Sequence, residues 1–244
     1  MIAPPSTQQI RYGHSDEGWG SFDTLLRDTA RNHALKRVIE IGGGANPSFT
    51  PDELRNLGLD YTLLDISAEE LGKAPTGYHT VCADIAGKDF DVQGEYDFAF
   101  SRMLAEHVRD GARFHANVAR LLRAGGYAVH FFPTMWAPPF VVNRLLPERA
   151  ADRLLSLLYP KRNRHQQAKF PAYYDWCRGP SDSMIARFES SGYELISYTG
   201  YYGHREYYER LPLLRRLHER IVRWLIRHPF PTLTSFAVVV LRRV

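Results

Sequence analysis

Three parts of the sequence place polar groups at spacings that suit a small-molecule site. Glu40-Ile41-Gly42-Gly43-Gly44-Ala45-Asn46 follows an apolar run through Val38 and Ile39. Consecutive glycines let a chain turn tightly and approach a ligand without Cβ interference, so a nucleotide-like molecule is the expected occupant. Asp65 and Asp84 each close a later apolar run, "DYTLLD" and "YHTVCAD". A carboxylate at such a position can accept from two hydroxyls at once. His107, beside Glu106, supplies an imidazole whose ordinary pKa suits a general base. Two glycine-loop chemistries are disfavoured. A dinucleotide fingerprint needs a third glycine where Pro47 stands, and no Gly-Lys-Ser/Thr follows for a phosphate loop.

These residues need a frame. Apolar runs predict strands at 38–41, 60–65, 78–84, 96–101, 127–133, 193–198 and 235–243, alternating with helical segments. Among those segments are 21–33, with Ser21 as N-cap, one opening at Pro51, and 113–122, stopped by Gly125-Gly126. Such alternation implies an α/β fold, doubly wound, with a mostly parallel sheet covered by helices on both faces. In such sheets the ligand crevice lies at the carboxyl ends of the strands, where Gly42, Asp65, Asp84, Ser101 and Pro133 should gather. The length suits one domain over 1–244, and the alternation breaks at 135–180 and 199–234, which are expected to be acceptor-side insertions.

The ordered set of the glycine loop, Asp65, Asp84, "FSRMLAEHVRD" (100–110) and "LLRAGGYAVHFFP" (121–133) resembles the class I S-adenosylmethionine-dependent methyltransferases. The resemblance covers about 37–133. Asn46 departs from the family's last glycine, and asparagine tolerates positive φ better than other non-glycine residues. The resemblance implies a Rossmann-like seven-stranded sheet whose last strand is antiparallel. It also implies S-adenosyl-L-methionine as cofactor and S-adenosyl-L-homocysteine as product. Glu40, Gly42, Gly44 and Ser101 would then belong to the donor pocket, Asp65 would accept the ribose hydroxyls, Asp84 would read the adenine amino group, and Ile85 would pack on the ring.

Methyl transfer from a sulfonium needs in-line attack by a positioned nucleophile, so positioning and water exclusion do much of the work. A hydroxyl acceptor would gain from a base, and His107 is the candidate, its alternative being local packing or capping. The Glu-x-x-Glu-His motif by which some quinone-biosynthesis O-methyltransferases hold a metal has Met103 in place of its first Glu, so no metal is expected. Absence of an Asn/Asp-Pro-Pro-Tyr motif after the fourth strand weighs against the amino-group enzymes that use it but not against all nitrogen acceptors, and oxygen is the expected acceptor atom. Tyr173, Trp176 and Arg178 in "KFPAYYDWCRGP", which loosely resembles insertions in bacterial surface-glycan methyltransferases, and Tyr202 and His204 in "YTGYYGHREYY" are candidates for substrate binding. They would suit a small molecule or glycan, and covering the core is their alternative role. Trp19 is either a lid over the donor or packing for the first helix. A methyltransferase-like binding module without catalysis is the competing function.

Net charge is +4, but 210–228 holds six arginines against Glu219 alone, so this segment carries +5 and the rest of the chain −1. That concentration argues against a nucleic-acid surface and for one local basic element. Leu214, Leu217, Ile221 and Leu225 form an apolar stripe there. Two readings stay open: an interfacial helix touching anionic lipid or a lipid-linked acceptor, or a sheet-covering helix with its arginines in solvent. Cys82 and Cys177 show no ligand spacing, and neither a signal pattern nor a spanning apolar run is evident. A cytoplasmic protein, peripheral at the inner membrane face on the first of those readings, is expected.

Overall fold

The structure, a computed structural model, describes residues 10–136, 171–204 and 211–244. Most of the first insertion, together with Tyr207 and Tyr208, lies outside the described residues. The strands are β1 (Ile10–His14), β2 (Arg37–Ile41), β3 (Asp60–Asp65), β4 (His79–Cys82), β5 (Tyr96–Arg102), β6 (Leu122–Pro133), β7 (Tyr193–Tyr202) and β8 (Phe236–Arg243). The α-helices are α1 (Ser15–Asn32), α2 (Pro51–Leu57), α3 (Ala68–Leu71), α4 (Gly111–Leu121), α5 (Asp182–Ser190) and α6 (Pro212–Arg227).

One sheet runs in the order β1-β7-β8-β6-β5-β2-β3-β4. Every neighbouring pair is parallel except those made by β8, which is antiparallel to β6 and to β7. The mostly parallel sheet with an antiparallel last strand is as expected, but the sheet has eight strands rather than seven. The addition is β1, five residues at the edge, paired in parallel with Tyr198–Tyr202 of β7. An edge strand this short is held by backbone pairing with a distant segment and carries no apolar run of its own. β7 itself reaches Tyr202, so 199–202 belongs to the sheet and not to the second insertion.

The first helix also begins earlier than its sequence suggests. The Nδ1 of His14 accepts the Asp16 N–H at 3.2 Å and caps α1, whose first turn carries Asp16 and Glu17. Ser21 sits inside the helix, donating to the Glu17 carbonyl at 2.6 Å. α2 opens at Pro51 as expected, and a capping box not among the sequence-based expectations fixes it there: Thr50 and Glu53 satisfy each other's backbone N–H groups.

Alternation along β2 divides the core. Val38 faces Phe22 and Leu26 of α1, while Ile39 and Ile41 face Phe114 and Val118 of α4. Both faces are covered, which is why the inner strands read as nearly continuous apolar runs. α6 packs on β1 and β7 at the sheet edge. Of the stripe Leu214, Leu217, Ile221 and Leu225, only Leu225 is buried.

Candidate functional site

Strand order reverses between β2 and β5: the chain passes from β2 outward through β3 to β4, then returns to β5 on the other side. The carboxyl ends flanking that reversal form the crevice of an open α/β sheet. Ile41 is in register with Leu64 and with Ser101, so Gly42 leaves the sheet between the ends of β3 and β5. Its N–H donates to the Leu64 carbonyl at 2.7 Å.

The loop after β2 needs its glycines. Gly42 has φ 78° and Gly44 φ 43°, left-handed conformations that side chains resist. A Cβ on Gly42 would overlap Cδ1 of Leu104, and one on Gly44 would lie 3.1 Å from Oδ2 of Asp65. Gly44 and Asp65 therefore face one another across the loop, which brings together two of the residues expected in the donor site. The Asp65 Oδ1 accepts the Ser67 N–H at 2.9 Å and orients the carboxylate. Asn46 does not use the positive φ open to asparagine; its N–H donates to the Gly43 carbonyl at 2.9 Å.

Glu40 holds this loop from below. Its buried carboxylate accepts the Ser48 N–H at 2.9 Å, the Ser48 hydroxyl at 2.6 Å and the Tyr61 hydroxyl. Burial pushes its pKa up, and the bonds from Ser48 and Tyr61 oppose that shift. Every one of these partners is internal, so Glu40 positions the glycine loop rather than presenting a free carboxylate to a ligand. Arg27 ties down the far end of the loop, donating to the Ser48 carbonyl at 3.1 Å while lying over the Phe49 ring.

The other expected donor residues divide. Asp84 is exposed beyond β4, its Oδ1 accepting the Ala86 N–H at 2.9 Å. Ile85 is buried in the core on the α4 side and offers little surface for a ring. Ser101 is fully buried, its hydroxyl 2.8 Å from Nδ1 of His130, so it serves the sheet interior instead of a ligand surface. His130, with burial driving its pKa down to about 3, is the core histidine its mid-strand position suggests.

His107 lies on a short 3₁₀ turn at 105–107, after β5. Its Nδ1 is 3.0 Å from the Pro171 carbonyl and its Nε2 3.6 Å from Oε1 of Glu106. Glu106 itself went unselected in the sequence. Its side chain is buried with Oε2 lacking a hydrogen-bond partner, and desolvation pushes its pKa up to about 8. Only its place beside His107 after β5 gave any signal, because the burial comes from residues 171–178 folding over the turn. The Tyr173 and Tyr174 N–H groups donate to the Glu106 carbonyl at 2.7 and 3.0 Å.

That segment is largely turned inward. Trp176, at φ 58°, stacks on His115 and covers Gly111, whose Cβ would lie 2.7 Å from its ring. Arg178 donates to the Tyr174 and Cys177 carbonyls, with burial lowering its pKa. Tyr173 lies under the Arg109 guanidinium. Tyr202 is buried, donating to the Phe230 carbonyl at 3.1 Å and accepting the Phe230 N–H at 2.9 Å. His204 is buried against Phe236, and its backbone N–H donates to Nε2 of His218 at 3.0 Å. These contacts brace the segments after β6 and β7. Trp19 packs edge-on against Phe131 and Phe236 with part of its ring exposed. No cluster of three metal-ligating side chains occurs among the described residues.

Residues 20–220 match a family model described as a methyltransferase domain. An uncharacterized methyltransferase of Mycobacterium sp. (strain JLS) is 31% identical over 127 residues, 48% of this chain and 49% of the relative. The chain thus spans about half the length of the curated relatives it matches. Among solved structures it is similar to an S-adenosylmethionine-dependent methyltransferase from Clostridium acetobutylicum, with TM-score 0.55 and 9% identity, covering 92% of each chain. A sarcosine dimethylglycine methyltransferase, described as putative, from Galdieria sulphuraria gives TM-score 0.53 at 11% identity, covering 93% of this chain and 87% of that one.

Proposed function

The chain belongs to the class I S-adenosylmethionine-dependent methyltransferase family, and from that premise we propose that it methylates an oxygen of a small molecule or glycan. The observation that carries the donor-site assignment is the facing of Gly44 and Asp65 beside the β2–β5 reversal, a cradle that a Cβ would narrow. S-adenosylmethionine supplies, when bound, a methyl group on a sulfonium. Gly42 and Gly44 let the backbone approach that ligand, Asp65 accepts its ribose hydroxyls, and Asp84 contributes an acceptor from the end of β4. Glu40 keeps the loop in place through Ser48 and Tyr61. His107, at the turn after β5, receives the acceptor proton.

The oxygen preference and the glycan class rest on the sequence: no Asn/Asp-Pro-Pro-Tyr motif follows β5, and "KFPAYYDWCRGP", although its Trp176 and Arg178 turn inward, loosely resembles insertions in surface-glycan methyltransferases. A binding module without turnover is the competing reading, and acceptor turnover separates the two. Calorimetry with S-adenosylmethionine, S-adenosylhomocysteine and NAD is the first test. Saturable binding of the first two, weakened in Asp65→Ala, is expected, followed by methyl transfer in a screen of glycans and phenols. Binding of NAD alone, or no binding by folded protein, would remove the assignment.

A further inference from the structure

α6 carries more apolar surface than its contact with the sheet uses. At about 100° per residue, Val222, Leu225 and Ile226 share one side with His218 and Glu219, and that side meets β1 and β7. A second apolar row, Leu213, Leu214, Leu217, Ile221 and Trp224, occupies about a further 100° of arc and points away from the body. These side chains are from 48% exposed at Ile221 to 77% exposed at Leu213. A helix that only covers a core needs one such stripe, with polar residues opposite. Trp224 extends the row by stacking on exposed Phe230, ring centroids 5.9 Å apart.

The third side of α6 identifies what covers that row. Arg216, Arg220, Arg223 and Arg227 lie along it, all exposed. Glu219, the one acid of the helix, is on the docked side, 3.4 Å from Nε2 of His14. A second copy packed antiparallel on this row would set arginines beside arginines with no carboxylate between them. An anionic bilayer supplies phosphates at the level of the arginines and acyl chains at the level of the leucines. No helix among the described residues is long and apolar enough to cross a membrane, so the geometry is that of a helix lying in the interface.

We propose that α6 seats this protein on an anionic lipid bilayer, with Leu213, Leu217, Ile221 and Trp224 entering the acyl boundary and the four arginines pairing with lipid phosphates. The helix touches His14 and His204, at the carboxyl ends of β1 and β7. That is the end of the sheet where Gly42 and Asp65 lie, so the docked helix contacts the same end of the sheet as the donor loop. This suits an acceptor carried on a lipid, although the docking itself does not depend on methyl transfer.

Flotation with vesicles, without any donor present, tests the docking separately from the enzymatic reading. Phosphatidylcholine vesicles containing about 30 mol% phosphatidylglycerol should bind the full chain, and pure phosphatidylcholine vesicles should bind it at least tenfold more weakly. Leu217→Glu/Ile221→Glu should lose binding tenfold or more, and Arg216→Gln/Arg220→Gln about fivefold for each charge removed. Both pairs are exposed, so thermal midpoints should hold. Trp224→Phe should lose the lipid-dependent blue shift of the fluorescence. Absence of flotation, flotation unaffected by the Glu pair, or a dimer that the same pair splits without any vesicle binding would overturn the proposal.

Discussion

Glu106→Gln replaces a carboxyl that the fold keeps from ionising with a neutral group of the same shape. A carboxyl raised from 4.5 to about 8 on folding favours the native state fully below pH 4.5, and that advantage is lost as pH climbs toward 8. Each unit is worth about 1.4 kcal/mol, so the loss is about 1.4 kcal/mol at pH 5.5 and about 4 kcal/mol at pH 7.5. Glutamine has no such slope. Urea unfolding of both proteins at the two pH values should therefore show the variant gaining roughly 2 to 3 kcal/mol on the parent between them. Other titrating groups, the buried histidines included, contribute equally to both proteins and cancel in the difference. A parent–variant gap constant to within about 0.5 kcal/mol would refute the reasoning, because Glu106 would then ionise at its ordinary pKa in the folded chain.

Three further outcomes are expected. Asp65→Ala should weaken S-adenosylhomocysteine binding by about tenfold to a hundredfold, the value of hydrogen bonds to a charged acceptor, while the unfolding midpoint holds; unchanged calorimetric affinity would remove the assignment. Gly42→Ala should destabilise by about 2 kcal/mol in urea unfolding, part from its positive φ and part from overlap with Leu104, and Leu104→Ala in the same chain should relieve the steric part only. His130 and His204 are lowered from 6.5 to about 3, both chiefly by burial, so their stability is present above pH 6.5 and lost as pH falls toward 3. Each contributes about 1.4 kcal/mol per pH unit over that range, and the slope of stability between pH 6 and pH 5 should shrink by about that amount in His130→Asn.

The glycine loop and its neighbouring strands were legible because they are written in local order. A strand, a glycine run, a helix opening at Pro51 and a strand ending in aspartate each announce themselves within a few residues, and parallel pairing then brings Gly42 beside Asp65. What stayed hidden depends on contacts between distant segments. β1 exists through its pairing with β7, and Ser101 meets His130 only because β5 and β6 align in that register. Trp176 and Arg178 have compositions that suit a ligand, yet left-handed φ at Tyr174 and Trp176 turns the segment so that the indole covers Gly111 and the guanidinium caps its own loop's carbonyls. No periodicity encodes that.

α6 shows the same limit from the opposite direction. Its sequence has apolar residues on more than one side, so periodicity could not say which of them the sheet would take. The edge strands β1 and β7 took Val222 and Leu225, leaving Leu214, Leu217 and Ile221 outward between solvent and the arginine row. An exposed apolar row next to four arginines is costly to keep in water and has no role in holding the helix to the sheet. The surplus is therefore better explained by a second surface that the helix meets than by the core it covers, and the vesicle experiment asks whether that surface is a bilayer.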